Sequence, residues 1–187
     1  MDTFRWMSTV FSMILGLGVA RILASAVAAL RARRRARLDW VPLAWAFFIF
    51  AQQLTLWWSL EDLANLSAHW TYFQFLILVT LVLTLFIAAA SVLPPNEIAA
   101  GESMRDFFEQ DGRFGLLALA AFNVTALAVN HVFWSPGTIS LSDAINVVLI
   151  ALPIIGFVGT RRVQVVATLA YAVAMVVAIT LLSPASY

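Results

Sequence analysis

Residues 4–37 read FRWMSTVFSMILGLGVARILASAVAALRARRRAR, and this stretch decides the fold. From Phe4 to Leu30 the chain is apolar apart from Arg5, Arg21 and a few hydroxyls. A helix rises 1.5 Å per residue, so about twenty such residues cross a hydrocarbon core of about 30 Å. Arg31, Arg33, Arg34, Arg35 and Arg37 follow at once. Arginines flanking a first span hold that end in the cytoplasm. The small residues Ala24-Ser25-Ala26 have the look of a signal-peptide cleavage site. Against that, Asp2 and Arg5 cancel in the leading segment, Arg21 interrupts the apolar run, and the arginine cluster follows. The stretch therefore reads as a retained first span.

Working outward, five more apolar segments of spanning length follow: Val41–Leu60, Thr71–Leu93, Gly115–Trp134, Leu141–Thr160 and Val163–Leu182. Of the 187 residues 63% are hydrophobic and 11% charged, against roughly 45–50% and about 25% in ordinary soluble domains. That balance excludes a water-soluble fold. All eleven cationic residues are arginine, and with ten acidic residues the formal net charge is +1. Thiol chemistry, disulfides and cysteine metal sites are excluded because there is no cysteine. The near-zero charge excludes a basic-patch nucleic-acid binder, so nucleic acid is not an expected partner. The expected fold is all-α, a polytopic transmembrane bundle of six spanning helices forming one membrane domain over residues 1–187. The expected location is an inner membrane, multi-pass.

Counting spans from the first basic loop puts Arg105, Arg113, Arg161 and Arg162 inside too, with both termini outside. The opposite orientation would export nine arginines. Trp57, Trp58, Trp70 and Trp134 fall at the proposed outer ends, and Trp40 and Trp45 at an inner end, which is where amphipathic rings sit in a bilayer. Between the third and fourth spans lies a polar linker, residues 94–114, opened by Pro94-Pro95. Within it Met104, Phe107 and Phe108 share one helical face, with Arg105, Asp106, Glu109 and Asp111 on the others. That pattern predicts a short amphipathic helix at the cytoplasmic interface.

Polar residues inside a bilayer need a reason. Arg21 has no acidic residue at matching depth; its candidate partners are Gln52, Gln53, Asn123, Thr80, Thr84, helix carbonyls or a bound anion. Around it Ser12, Gly16, Ala20, Ala24 and Ala28 repeat every four residues, a stripe that lets backbones approach within the chain or between copies. Gln52, Thr55, Ser59 and Asp62 line one face of the second span, Asn123 and Asn130 one face of the fourth, and Gln164, Thr168 and Tyr171 one face of the last. In the fifth span Pro153, with Gly156 and Gly159 after it, predicts an internal break.

Glu61, Asp62, His69, Asn130, His131, Asp143 and Asn146 collect at the proposed outer face. They read as interfacial polar residues, with Asp143 favoured at a helix N-terminus. Two alternatives are a proton or metal site and a b-type haem held by His69 and His131. Phosphate-loop, dinucleotide, zinc-protease and serine-hydrolase motifs are absent, so the chain is not expected to be an enzyme or to carry a resident cofactor. The leading expectation is a channel or transporter for an ion or small solute, acting as a homo-oligomer. Its polar layer would be Arg21, Gln52, Gln53 and Asn123, below a vestibule lined by Glu61, Asp62, His69, His131 and Asp143. The alternatives are an accessory or sensor subunit of a larger membrane complex and a haem electron carrier.

Overall fold

A computed structural model describes residues 3–66, 71–96, 98, 101–133 and 141–182. These form seven α-helices and no strand: α1 (Thr3–Ala32), α2 (Trp40–Leu66), α3 (Tyr72–Ser91), α4 (Met104–Phe107), α5 (Phe114–Phe133), α6 (Leu141–Val158) and α7 (Arg161–Leu182). All except α4 are long and apolar enough to cross a membrane. The protein is thus a multi-pass helical bundle, and the six long helices fall within a few residues of the six apolar segments. One bound differs more: α2 runs on to Leu66, so Glu61 and Asp62 lie on helical backbone.

Helix neighbours close a ring. α1 packs on α2 and α3, α3 on α5, α5 on α6, α6 on α7, and α7 returns to α2. α2 leans across the middle to touch α3 and α5 as well. The thinnest link of this ring is α2–α7, while α3–α5, α5–α6 and α6–α7 are broad. Inward positions carry large apolar side chains, among them Phe11, Leu15, Trp45, Ile49, Leu85 and Leu116, all fully buried. Outward positions are also apolar, such as Leu17, Phe47, Val124 and Val173. That is the surface a lipid-facing helix presents, since only burial in hydrocarbon hides such side chains from water.

On α1 the buried face is Phe11, Leu15, Ile22 and Ala29, with Gly18 among them. The small-residue stripe points elsewhere: Ala20 and Ala24 are exposed, and a Cβ at Gly16 would meet nothing within 4 Å. Close approach happens at Gly18 instead, where a Cβ would collide with Gln53 Nε2 on α2. Nor does Pro153 break its helix. α6 is continuous from Leu141 to Val158, for a reason that lies on α5 and is given below.

The linker folds onto the end of the bundle that carries the arginines. Ser103 caps α4 by accepting from the Arg105 N–H at 3.2 Å. A π-turn over Phe108–Gly112 then leads into α5. Met104 and Phe108 are fully buried in the chain's own core, leaving Phe107 half-buried. On the outer side Arg105 pairs with Glu109 at 2.6 Å, one turn on. That carboxylate, hydrogen-bonded and oppositely charged, raises the guanidinium further above its ordinary value. Gly115 lets α5 run close to α3; a Cβ there would sit 3.1 Å from the Ala88 carbonyl.

A backbone tie joins the two polar connections. The Arg37 N–H donates to the Glu102 carbonyl at 3.3 Å, and the Arg37 carbonyl accepts from the Met104 N–H at 3.1 Å. The Gly101 N–H donates to the Arg35 carbonyl at 3.2 Å, from a residue whose φ of +90° favours glycine.

Candidate functional site

Hydroxyls on the spanning helices mostly satisfy themselves. Thr55, Ser59, Thr80, Thr84, Thr125 and Thr180 each donate to a carbonyl three or four residues earlier on their own helix. This back-bonding lets a hydroxyl sit in an apolar surround without a partner elsewhere. The polar stripe expected on α2 therefore divides: Thr55 is exposed and locally bonded, whereas Gln52 points inward. The groups that need explanation are amides, a phenol, an arginine and the charged pairs at the two ends.

Arg21 donates to the Ala90 carbonyl at 3.5 Å and the Pro95 carbonyl at 3.3 Å. Of its candidate partners these are helix carbonyls, in the last turn of α3 and just beyond it. The negative end of a helix dipole favours a cation there. α1 outruns α3 at this end, so Arg21 sits level with the end of α3, and its bonds go to those carbonyls rather than to Gln52, Gln53 or Asn123.

The other amides converge. Gln52 Nε2 donates to the Tyr171 hydroxyl at 3.3 Å, joining α2 to α7. The same hydroxyl faces the Asn123 side chain on α5. Asn123 Nδ2 donates to the Leu119 carbonyl on its own helix at 3.0 Å and to Leu149 on α6 at 3.2 Å. Leu149 is four residues before Pro153, and proline has no N–H to give that carbonyl. Asn123 supplies the missing donor, which is why α6 passes through Pro153 unbroken. Two interhelical bonds, α2 to α7 and α5 to α6, thus lie side by side where Asn123 faces Tyr171, a polar node of four helices.

Below the node, towards the arginines, α7 continues the polar series. Thr168 donates to the Gln164 carbonyl at 2.7 Å, and both residues are buried. Gln164 Oε1, an acceptor, and Trp45 Nε1, a donor, are buried without partners among the described residues. Trp45 and Phe48 cover Tyr171 from α2, with ring centroids 4.9 and 5.2 Å away. From Arg161 to Tyr171 is ten residues, about 15 Å of helix rise, or half of a bilayer core.

A charged pair stands at each end. Near the arginines, Arg161 Nη2 meets Asp39 Oδ1 at 2.6 Å, joining the starts of α7 and α2. Asp39 Oδ1 also accepts from the Val41 N–H at 3.0 Å, the bond of an N-cap. At the opposite end His131 Nε2 lies 3.3 Å from Asp143 Oδ1, joining α5 to the first turn of α6. His69 lies outside the described residues, as do the side chains of Glu61 and Asp62, so the expected vestibule is described at His131 and Asp143. Among the described residues no group of three or more histidines and carboxylates is placed to hold a metal.

Gln53 stands apart from this polar series. It is fully buried against Gly18 in the α1–α2 seam, and neither end of its amide has a partner among the described residues. An unpaired buried amide costs about 1–3 kcal/mol, so this seam carries unmet hydrogen-bonding capacity. The structure brings together Gln52 and Asn123, through Tyr171, and leaves Arg21 and Gln53 elsewhere.

Sequence reasoning missed Asp39 and Arg161. The signal for Asp39 was an aspartate immediately ahead of an apolar helix with Pro42 in its first turn, the composition of an N-cap. Arg161 was counted only towards orientation. No family model matches the chain, and neither the curated proteins nor the solved structures contain a significant match.

Proposed function

We propose that the protein is a small transporter or channel for an ion or small solute, with the arginine-rich end in the cytoplasm. Its pathway is the polar file along α7, and the conformation described above is closed. The observation that carries this reading is the set of inward-facing polar groups along one seam, Gln164 and Thr168 on α7 and then Tyr171 bonded to Gln52 and facing Asn123, with Asp39–Arg161 and His131–Asp143 at the two ends of the bundle. Interhelical hydrogen bonds in membranes average only about 0.6 kcal/mol, so packing alone is a weak reason to keep so many polar groups in one seam. Two further features support a path. Trp45 Nε1 and Gln164 Oε1 offer a donor and an acceptor that none of the described residues uses. The seam between α2 and α7 is also the thinnest in the ring, so separating them exposes the file at least cost.

The test is flux in liposomes, using pH-, potassium- and chloride-sensitive dyes with imposed gradients. The wild type should pass at least one of these ions faster than protein-free vesicles. Tyr171→Phe should slow that flux by removing the hydroxyl that Gln52 meets. Asp39→Asn should speed it by weakening the end pair. Flux equal to protein-free vesicles for all three ions, or unaltered by both variants, overturns the reading.

A further inference from the structure

At the arginine-rich end a recess of about 530 Å³ opens between three elements. Arg37 and Trp40 come from the connection into α2, Asp106 and Glu109 from α4 and the π-turn, and Arg161 from the start of α7. Its walls are held before any ligand arrives. The backbone tie fixes Arg37 against residues 102–104, and the fully buried Met104 anchors α4. Binding to such walls loses little ordering entropy.

The charges of the recess balance in number but not in pairing. Three arginines and three carboxylates line it. Arg161 takes Asp39 and Arg105 takes Glu109, each at 2.6 Å. That leaves one charge of each sign: the side chains of Arg37 and Asp106 are exposed and make no ion pair among the described residues. Arg161 lines the recess beside them and keeps its positive charge there while its Nη2 holds Asp39. Trp40, 48% exposed, presents an indole at the edge, a ring that attracts ammonium groups.

A simple anion would meet Asp106 and Glu109 as well as the arginines, and a simple cation would meet Arg37. A molecule carrying both charges a few bonds apart satisfies the unpaired groups together. We propose that this recess binds a small zwitterion, its oxyanion on Arg37 beside Arg161 and its ammonium on Asp106 beside Trp40. Phosphoethanolamine has this chemistry, either free or as the head group of a lipid lying in the adjoining membrane surface. The proposal does not rest on the transport reading, because binding is measured at equilibrium and needs no flux.

The experiment is calorimetric titration of the full chain in mild detergent with phosphoethanolamine, inorganic phosphate and ethanolamine separately. A native mass spectrum after incubation with phosphatidylethanolamine or phosphatidylglycerol accompanies it. Phosphoethanolamine should bind at least about tenfold more tightly than either of its parts, a difference of about 1.4 kcal/mol. Arg37→Gln and Asp106→Asn, both exposed changes, should each weaken it by a similar factor. Retention of phosphatidylethanolamine over phosphatidylglycerol, lost in Arg37→Gln, identifies the lipid as the source. Binding of the soluble compound without lipid retention identifies the free zwitterion. The proposal is overturned if phosphate alone binds as tightly as phosphoethanolamine, if both variants bind like the wild type, or if neither the soluble compound nor the lipid is bound.

Discussion

Replacing Asn123 by alanine, with and without Pro153→Ala, isolates the contact that carries α6 through its proline. In the native chain Asn123 Nδ2 reaches the Leu149 carbonyl at 3.2 Å, in place of the N–H that residue 153 lacks. Asn123→Ala leaves that carbonyl unpaired in an apolar surround, at about 1–3 kcal/mol by the general scale. Measured membrane hydrogen bonds average about 0.6 kcal/mol and reach about 1.7, so about 1–2 kcal/mol is expected. With alanine at position 153 the backbone N–H returns and the helix can supply its own donor. The Asn123→Ala cost should then fall by at least half, a coupling of about 0.5–1 kcal/mol. The remainder is the lost packing and the lost contact with Tyr171, which both backgrounds share. Unfolding in mixed micelles, followed by tryptophan fluorescence, measures all four proteins. Equal costs of Asn123→Ala in the two backgrounds, within the about 0.3–0.5 kcal/mol expected of independent sites, would refute this account of α6.

The α1–α2 seam gives a second test. Gly18→Ala should destabilise the protein by about 1–3 kcal/mol through collision with Gln53, and Gln53→Ala should relieve it. Gln53→Met alone should leave stability unchanged or raise it, because it removes two unpaired polar groups from a buried site; a loss above about 1 kcal/mol would contradict the placement of that amide. At the start of α2, Asp39→Ala should cost about 1 kcal/mol more than Asp39→Asn in thermal unfolding, since asparagine keeps the cap on Val41 and both changes lose the charge facing Arg161.

The helices were legible because bilayer thickness sets the length of an apolar run, and six such runs stand clear of polar connections. The end of α2 was less so, because Glu61 and Asp62 read as the close of a span although the helix continues past them. Which way a helix faces was harder still. In water the buried face of a helix is the apolar one, but here Leu15 inside and Leu17 outside are equally apolar. The four-residue repeat of small side chains therefore signalled close packing on a face that the chain itself leaves open. Arg21 illustrates the same limit in depth. Judged along α1 alone it lies within the membrane, yet its acceptors belong to the end of a neighbouring helix about seventy residues on. Gln52 and Asn123 were identifiable as amides that must find donors and acceptors. That Tyr171 joins them, and that Asp39 meets Arg161 across 122 residues, depends on how the ring closes.

The ring is built like a door frame. Helices α1, α2, α3 and α5 form the frame, stiffened at one end by the backbone tie between residues 35–37 and 101–104. The α6–α7 hairpin is the leaf. Its broad contact with α5 is the hinge side, its free edge is α7 against α2, and Asp39–Arg161 is the latch on that edge. The proposed opening of the pathway then corresponds to a swing of α7 away from α2. The distance between labels on those two helices should report it, while a pair on α3 and α5 stays fixed.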